Sequence, residues 1–477
     1  MSLRSSGLLV IGLLVVYNAN LRQVSSYDTY ASRFVPLSIL RDGDLVLDEF
    51  VPDRVKQEAG PKFFSNYFAW TKGHFFDSHP PVGPILALPV YAFPAWTGIP
   101  GDAELAANLY SKLAASLMAA LSALLVFAAS RRVLAVFGLQ PDTVNRSALL
   151  AAIAYGLGTP VWSTASLAMW THTPAVLGYA AAIWALITGR PAAAGIAAAA
   201  AVIARPATAP AAALLALYLV HRIVVRFRED REALNASVSD AMRFAGTAAL
   251  GGIAGAAYNL WLFGNLVGGA PTRTQYWVDE LGTAGMFSGS LLGGLAGLTI
   301  SPSRGILIFS PVVIVAIVGA VRVWRTRLND GARDRRDTLL LARYASVAAI
   351  AILLTYSKFI VWWGGHGYGP RYLTDAMPFV GLLLAFGFLP RKAALDEPAS
   401  WRRTPFAAIA LLVCSIAVQA IGAFCWPSPW TLSGNPPYRY RLWNWRDNEI
   451  ASCLRAGPRF DPAGRRLLGY VGVSTER

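Results

Sequence analysis

The stretch that decides the fold runs from Leu105 to Arg132, LAANLYSKLAASLMAALSALLVFAASRR. It is apolar over residues 105–130, with one lysine, and stops at the pair Arg131-Arg132. An apolar run of that length is a membrane-crossing helix, and a basic pair at its end marks the cytoplasmic side. The chain must therefore enter this helix from outside. The same grammar repeats outward in both directions. Of 477 residues, 55% are hydrophobic and only 14% charged, against the ~25% charge of a soluble domain. The class is an all-α polytopic membrane protein. The net charge of +15 would suit a nucleic-acid partner, but the arginines sit in short gaps beside apolar runs, so no nucleic acid is expected.

Residues 7–17 form the first apolar run, read as an uncleaved helix with a cytoplasmic N-terminus rather than a signal peptide. A polar, aromatic loop follows, about 18–104, and it includes an apolar piece, 82–99. Pro84, Pro89 and Pro94 interrupt that piece, so it reads as a juxtamembrane element that does not cross. After 105–130 the predicted spans are 147–165, 173–189, 191–204, 206–221, 244–263, 304–321, 344–361, 373–389 and 404–424. Their inward gaps carry Arg190, then Arg222 to Arg231, then Arg322 to Arg336, then Arg391 and Lys392. The expectation is about eleven transmembrane helices over 1–425 and an extracytoplasmic tail over 426–477. Abundant Ala and Arg with little Lys points to a bacterial plasma membrane. Of three cysteines, Cys414 lies in an apolar run; Cys425 and Cys453 are either a disulfide or two free thiols.

This topology sends a particular set of residues to the outer face. Asp28 follows the first helix closely, in Ser26-Tyr27-Asp28-Thr29, and Asp77 stands in Phe76-Asp77-Ser78-His79-Pro80-Pro81 where the chain returns to the membrane. A carboxylate there can take or orient the proton of a hydroxyl. Isolated arginines at helix ends, Arg205, Arg273, Arg304 and Arg371, run against the positive-inside bias; their forked guanidinium groups suit phosphate oxygens. Snorkelling to lipid headgroups is the plainer explanation of the same charges. Lys358 ends an apolar helix and joins the phosphate-binding candidates. His79, His172, His366, Tyr27 and Tyr368 are the substrate-binding candidates, with the alternative that a histidine among glycines is structural. Trp362, Trp363, Trp426, Trp430, Trp443 and Trp445 could stack on sugar faces or form the aromatic belt of a membrane interface. No P-loop, HExxH, Rossmann fingerprint or serine-nucleophile elbow is present, and five scattered histidines do not make a zinc site.

Over about residues 1–135 the chain resembles the membrane-embedded GT-C glycosyltransferases, within them the protein mannosyltransferase and aminoarabinose transferase branch. The shared pattern is Tyr27-Asp28-Thr29-Tyr30, the turn Asp42-Gly43-Asp44-Leu45, the acid and Pro-Pro step of Phe76 to Gly83, and the helix ending in Arg131-Arg132. Beyond residue 135 only general topology matches. Asp-Thr follows Tyr27 where many relatives carry Asp-Glu. The resemblance implies a large first extracytoplasmic loop with juxtamembrane helices, Asp28 acting on the acceptor, Asp77 as a second acid, and no metal or other cofactor. It also implies transfer of a sugar from a polyprenyl-phosphate donor, with inversion, to an envelope glycan, a glycolipid or a protein. A site on the outer face has no access to cytoplasmic nucleotide sugars, which fits a lipid-carried donor. A transporter or flippase of a lipid-linked or small polar substrate is the alternative, although the inverted repeats and broken midplane helices typical of transporters are not evident.

Overall fold

A computed structural model describes residues 3–20, 22, 27–58, 68–97, 103–227, 231–328, 332–390, 406–427 and 441–459. The architecture is mostly helical. In chain order the helices are α1 (Leu3–Asn18), α2 (Tyr27–Tyr30), α3 (Val35–Arg41), α4 (Asp53–Glu58), α5 (Val82–Thr97) and α6 (Ala103–Ala135). Next come α7 (Pro141–Leu157), α8 (His172–Ile187), α9 (Pro191–Ala204), α10 (Ala209–Arg226), α11 (Arg231–Phe263) and α12 (Ala270–Leu281). The last are α13 (Leu291–Ile300), α14 (Ile306–Phe309), α15 (Val313–Arg325), α16 (Arg333–Ser357), α17 (Met377–Gly387), α18 (Phe406–Cys425) and α19 (Glu449–Ala456).

Among the described residues, four helical segments are long and apolar enough to cross a membrane: Ala106–Ala135, Pro206–Arg226, Arg333–Ser357 and Phe406–Cys425. Several other apolar helices are shorter, including Ser6–Asn18, His172–Ile187 and Pro191–Ala204. Local chemistry explains where the observed helices depart from the predicted spans. The expected span 147–165 becomes α7, which starts at Pro141 and ends at Leu157, capped by Gly158; after Pro160 the chain makes a π-helical turn over Val161–Ala165. The expected span 304–321 is broken at Ser310-Pro311 into α14 and α15. The region 264–303 is not a plain loop but holds α12 and α13. Arg391 and Lys392 lie outside the described residues.

The all-α expectation misses one element. The first loop contains a hairpin, β1 (Phe68–Thr71) and β2 (His74–Asp77), antiparallel with Phe68 opposite Asp77 and Thr71 opposite His74. Lys72 and Gly73 both adopt left-handed backbone, φ 55° and 81°, which is the two-residue turn that matches strand twist. Phe68 and Phe75 pack into a small core with Phe34, Leu47 and Tyr91, beneath α3 and α5.

α17 is the axis of the bundle. All eleven of its residues are buried, and it packs against α6, α7, α8, α15 and α16. Glycine allows its contact with α15: a Cβ on Gly319 would collide with the Leu383 carbonyl, and one on Gly387 with the Val315 carbonyl. Small residues let apolar helices approach to backbone contact where no hydrophobic force separates helix from lipid.

The two ends of the bundle differ chemically. At one end Asp337 pairs with Arg222 at 3.2 Å and Arg226 at 2.7 Å, Asp240 takes Arg222 at 3.3 Å, and Arg322 donates to the Phe386 and Leu389 carbonyls. The C-terminal ends of α10 and α15 and the N-terminal end of α16 therefore share a basic face. The opposite ends of α16 and α17 meet α8 and α9 around a cavity. Gly387→Ala is expected to cost about 1–3 kcal/mol by overpacking. Gly246→Ala, where an added Cβ meets nothing within 4 Å, should be neutral; thermal unfolding in lipid nanodiscs measures both.

Candidate active site

The cavity encloses about 660 Å³. Its polar wall is Asp28, His79, Thr171, Arg205, His366 and Arg371; Val267, Phe287, Phe359 and Val361 contribute to its apolar wall. Small-molecule sites commonly have this make-up, an apolar concavity with a few convergent polar groups.

Asp28 lies in α2, directly after the first helix and its short link. Its Oδ2 accepts from Arg371 Nη1 at 2.7 Å, and 36% of its side chain is exposed, whereas Arg371 is buried. Burial pushes the Asp28 carboxyl up, but the Arg371 guanidinium, with His79 and Arg205, outweighs it and holds the group well below the usual carboxylate range. Arg371 is itself held. Its guanidinium lies 4.6 Å from the Trp170 ring centroid and 5.5 Å from that of Tyr372. The loop Gly364–Gly369 wraps its side chain: Gly364, Gly365 and Gly369 have φ of 77°, 59° and 59°, and a Cβ on Gly367 would stand 2.8 Å from Arg371 Cδ. Gly367 thus leaves room for the arginine, while a Cβ on Gly369 would meet the Phe309 ring instead. His366, exposed on the same loop, is pushed down from the ordinary histidine value by partial burial and then by Arg371 and Arg304.

Asp77 is buried behind the wall. Its Oδ1 accepts the His79 backbone N–H at 2.9 Å and lies 3.2 Å from His79 Nδ1, while Oδ2 accepts from Ser32. The hairpin ends at Asp77, and the carboxylate orients His79, which reaches the cavity. Arg205 follows the end of α9, where Pro206 stops the helix. It donates to Tyr356 Oη at 2.7 Å and Thr171 Oγ1 at 3.3 Å, pairs with Asp375 at 3.3 Å, and sits 5.6 Å from the rings of both Tyr356 and Tyr372.

Not every sequence candidate reaches the cavity. His172 is buried at the start of α8, with Nδ1 2.7 Å from Asp375 Oδ1. Tyr368 is buried and donates to the Val418 carbonyl at 2.9 Å. Lys358 closes the end of α16 and is not among the cavity's lining residues. Arg304 is fully buried and does not line the cavity either: Nη1 pairs with Glu449 Oε2 at 2.6 Å, and Nε donates to the Trp363 carbonyl at 2.8 Å. The side chains of Tyr27 and Arg273, and all of Trp430, lie outside the described residues.

Two acids that sequence reasoning passed over carry the architecture. Asp375 is buried and receives His172, Arg205 and Tyr356. It stands four residues after Arg371, on the same short helix, Arg371–Ala376; that spacing is the only local signal. Glu449, in α19, accepts from both Arg304 and the Gly369 backbone N–H at 2.8 Å, so the C-terminal segment grips the loop that shapes Arg371. Cys425 and Cys453 form a disulfide between α18 and α19 that pins this grip, settling the alternative the sequence left open.

No family model and no curated protein matches the chain. Among solved structures, the chain is similar to ArnT. The crystal structure of ArnT from Cupriavidus metallidurans bound to undecaprenyl phosphate shares 15% identity over 89% of this chain and 76% of that one, with a TM-score of 0.44. Its apo state shares 16% over 87% and 74%, with a TM-score of 0.40. Neither likeness bears on the chemistry of the cavity.

Two outcomes follow from these contacts. Glu449→Ala leaves the Arg304 charge buried without this carboxylate and is expected to cost about 3–5 kcal/mol, read as a lower unfolding temperature; a loss below about 1 kcal/mol would mean that the pair does not hold the loop. Asp28 has a folded-state pKa below the ordinary 3.8. Its contribution is therefore complete above 3.8 and is lost only as pH falls through the lower folded value. In unfolding measured from pH 7 down to the acid range, Asp28→Asn should flatten the acid limb.

Proposed function

We propose that the chain is an integral membrane glycosyltransferase of GT-C type that moves a sugar from a polyprenyl-phosphate donor to a hydroxyl of an envelope glycan, a glycolipid or a protein. The observation that carries this reading is the Asp28–Arg371 pair, an acid and a phosphate-binding cation meeting in one cavity at the end of the bundle away from the basic face. With about eleven helices crossing a bacterial plasma membrane, the basic face is cytoplasmic and the cavity opens outward.

In this scheme the resting pair is a latch. Held by Arg371, Asp28 is too weak a base to activate a hydroxyl. A donor phosphodiester offers Arg371 an anionic partner whose two non-bridging oxygens match its fork; as the guanidinium turns to it, Asp28 loses its main counter-charge and gains basicity. Donor binding therefore switches on the base. The acceptor oxygen attacks the anomeric carbon from the face opposite the phosphate, its proton passing to Asp28. The C–O bond to phosphate breaks, and the departing polyprenyl phosphate stays with Arg371 and Arg205. The Asp77-oriented imidazole of His79 steadies Asp28 and the incoming hydroxyl. The scheme assigns the developing charge to arginine and includes no metal ion.

Proteoliposomes holding wild type, Asp28→Asn or Arg371→Ala, supplied with a panel of radiolabelled polyprenyl-phosphate sugars and crude envelope acceptor, test the reading. Loss of the base is expected to lower kcat by about 10²–10⁴-fold. Arg371→Ala should raise the KM for donor by tenfold or more, about 1.4 kcal/mol. Near-normal transfer by Asp28→Asn would remove the assignment of the base. Movement of a lipid-linked sugar across the bilayer without transfer would move the protein to the transporter class.

A further inference from the structure

A second cavity of about 340 Å³ adjoins the first, and Phe359 is a wall of both. The partition is well made: the Gly289 N–H donates to the Lys358 carbonyl at 3.0 Å and the Ile360 N–H to the Met286 carbonyl at 2.9 Å. Three tryptophans line this second space. Trp362 and Trp363 stand perpendicular, 88° between planes with centroids 5.9 Å apart, and form an indole corner. Trp362 is seated over Gly297, where a Cβ would collide with its ring. Trp443 stands at the mouth with 45% of its surface exposed. Its turn is fixed by Ser301 Oγ, which donates to the neighbouring Leu442 carbonyl.

Besides the indole N–H groups, the polar side chains among the described residues that line this cavity are hydroxyls. Ser288, Ser290 and Thr283 line it, and Thr283 Oγ1 is buried with no hydrogen-bond partner among the described residues. A buried hydroxyl without a partner is costly unless something arrives to satisfy it. No charged side chain is among the described residues that line the space, which disfavours a phosphate or a carboxylate. Trp363 is only 4% exposed, so the cluster is not simply a belt of tryptophans against lipid.

Flat indole faces, hydroxyls and no charge are the recognition chemistry of a neutral sugar ring, whose C–H face stacks on an aromatic while its edge exchanges hydrogen bonds. We propose that this cavity is an acceptor subsite that holds a neutral pyranose of the acceptor glycan one wall away from the cavity of Asp28. The acceptor role rests on the glycosyltransferase reading; the sugar site itself does not.

The test is saturation-transfer NMR on protein in lipid nanodiscs free of sugar detergent, with methyl α-mannoside, methyl β-glucoside and methyl N-acetyl-β-glucosaminide as probes. At least one glycoside is expected to receive saturation from wild type. Trp443→Ala should weaken its binding about threefold to tenfold, Trp443→Phe should restore most of it, and Thr283→Val should weaken it while the unfolding temperature of the ligand-free protein holds or rises. No transfer to any of the three above empty nanodiscs, or transfer equal in wild type, Trp443→Ala and Thr283→Val, would overturn the subsite. Binding of undecaprenyl phosphate, followed by tryptophan fluorescence in wild type and Arg371→Ala, tests the donor reading separately. Glycoside binding without polyprenyl-phosphate binding removes the donor reading and keeps a sugar site, whereas the reverse removes the subsite alone.

Discussion

The ion pair between Asp28 and Arg371 joins segments 343 residues apart, and the arrangement of the cavity follows from what is needed to make it. Asp28 is delivered by the first helix and the short α2 that follows it. Arg371 is delivered by a glycine-rich loop in which a side chain at Gly367 would collide with it. An exposed pair of this kind would add little to stability. Here the arginine is buried and stacked between aromatic rings, so its charge is poorly hydrated and is drawn strongly to an anion. That anion is the aspartate in the resting protein and a donor phosphate in the proposed reaction.

The molecule uses arginine in three ways that composition cannot tell apart. Arg222, Arg226 and Arg322 close one end of the bundle, binding carboxylates and the carbonyls at the end of a neighbouring helix. Arg304 is a structural pin, its charge answered by Glu449 and its remaining N–H groups by main-chain carbonyls. Arg205 and Arg371 face a cavity. A guanidinium has five donors in a fixed fork. Enclosed by carbonyls and a carboxylate, the Arg304 guanidinium spends its Nε, Nη1 and Nη2 donors on the protein; at a cavity wall some of that capacity is available to a ligand.

The pin also ties the C-terminal segment to the first cavity. The disulfide holds α19 to α18, Glu449 of α19 holds Arg304 and the Gly369 amide, and that amide belongs to the loop around Arg371. Rigid support of this sort fixes a functional side chain more closely than the loop could by itself. The same loop begins at Trp362 and Trp363, so both cavities are set by one run of backbone.

The sequence by itself determined the membrane class, and it singled out Asp28, His79, Arg205, His366 and Arg371, all of which line the same cavity. These features are written in local pattern: apolar length, positive charge beside it, and isolated charge where the bias says none should be. Tertiary structure alone decided that Arg304, His172 and Tyr368 are held in internal contacts, that Asp77 sits behind the cavity wall against His79, that Asp375 and Glu449 hold buried ion pairs, and that Cys425 and Cys453 pair. It also showed the hairpin at Lys72-Gly73 and the glycine contact between α15 and α17. The reason is physical. Whether a charged or hydroxyl side chain meets a ligand or another part of the protein depends on which distant segment occupies the space in front of it. That is set by helix packing across hundreds of residues, not by the residue's neighbours in the chain.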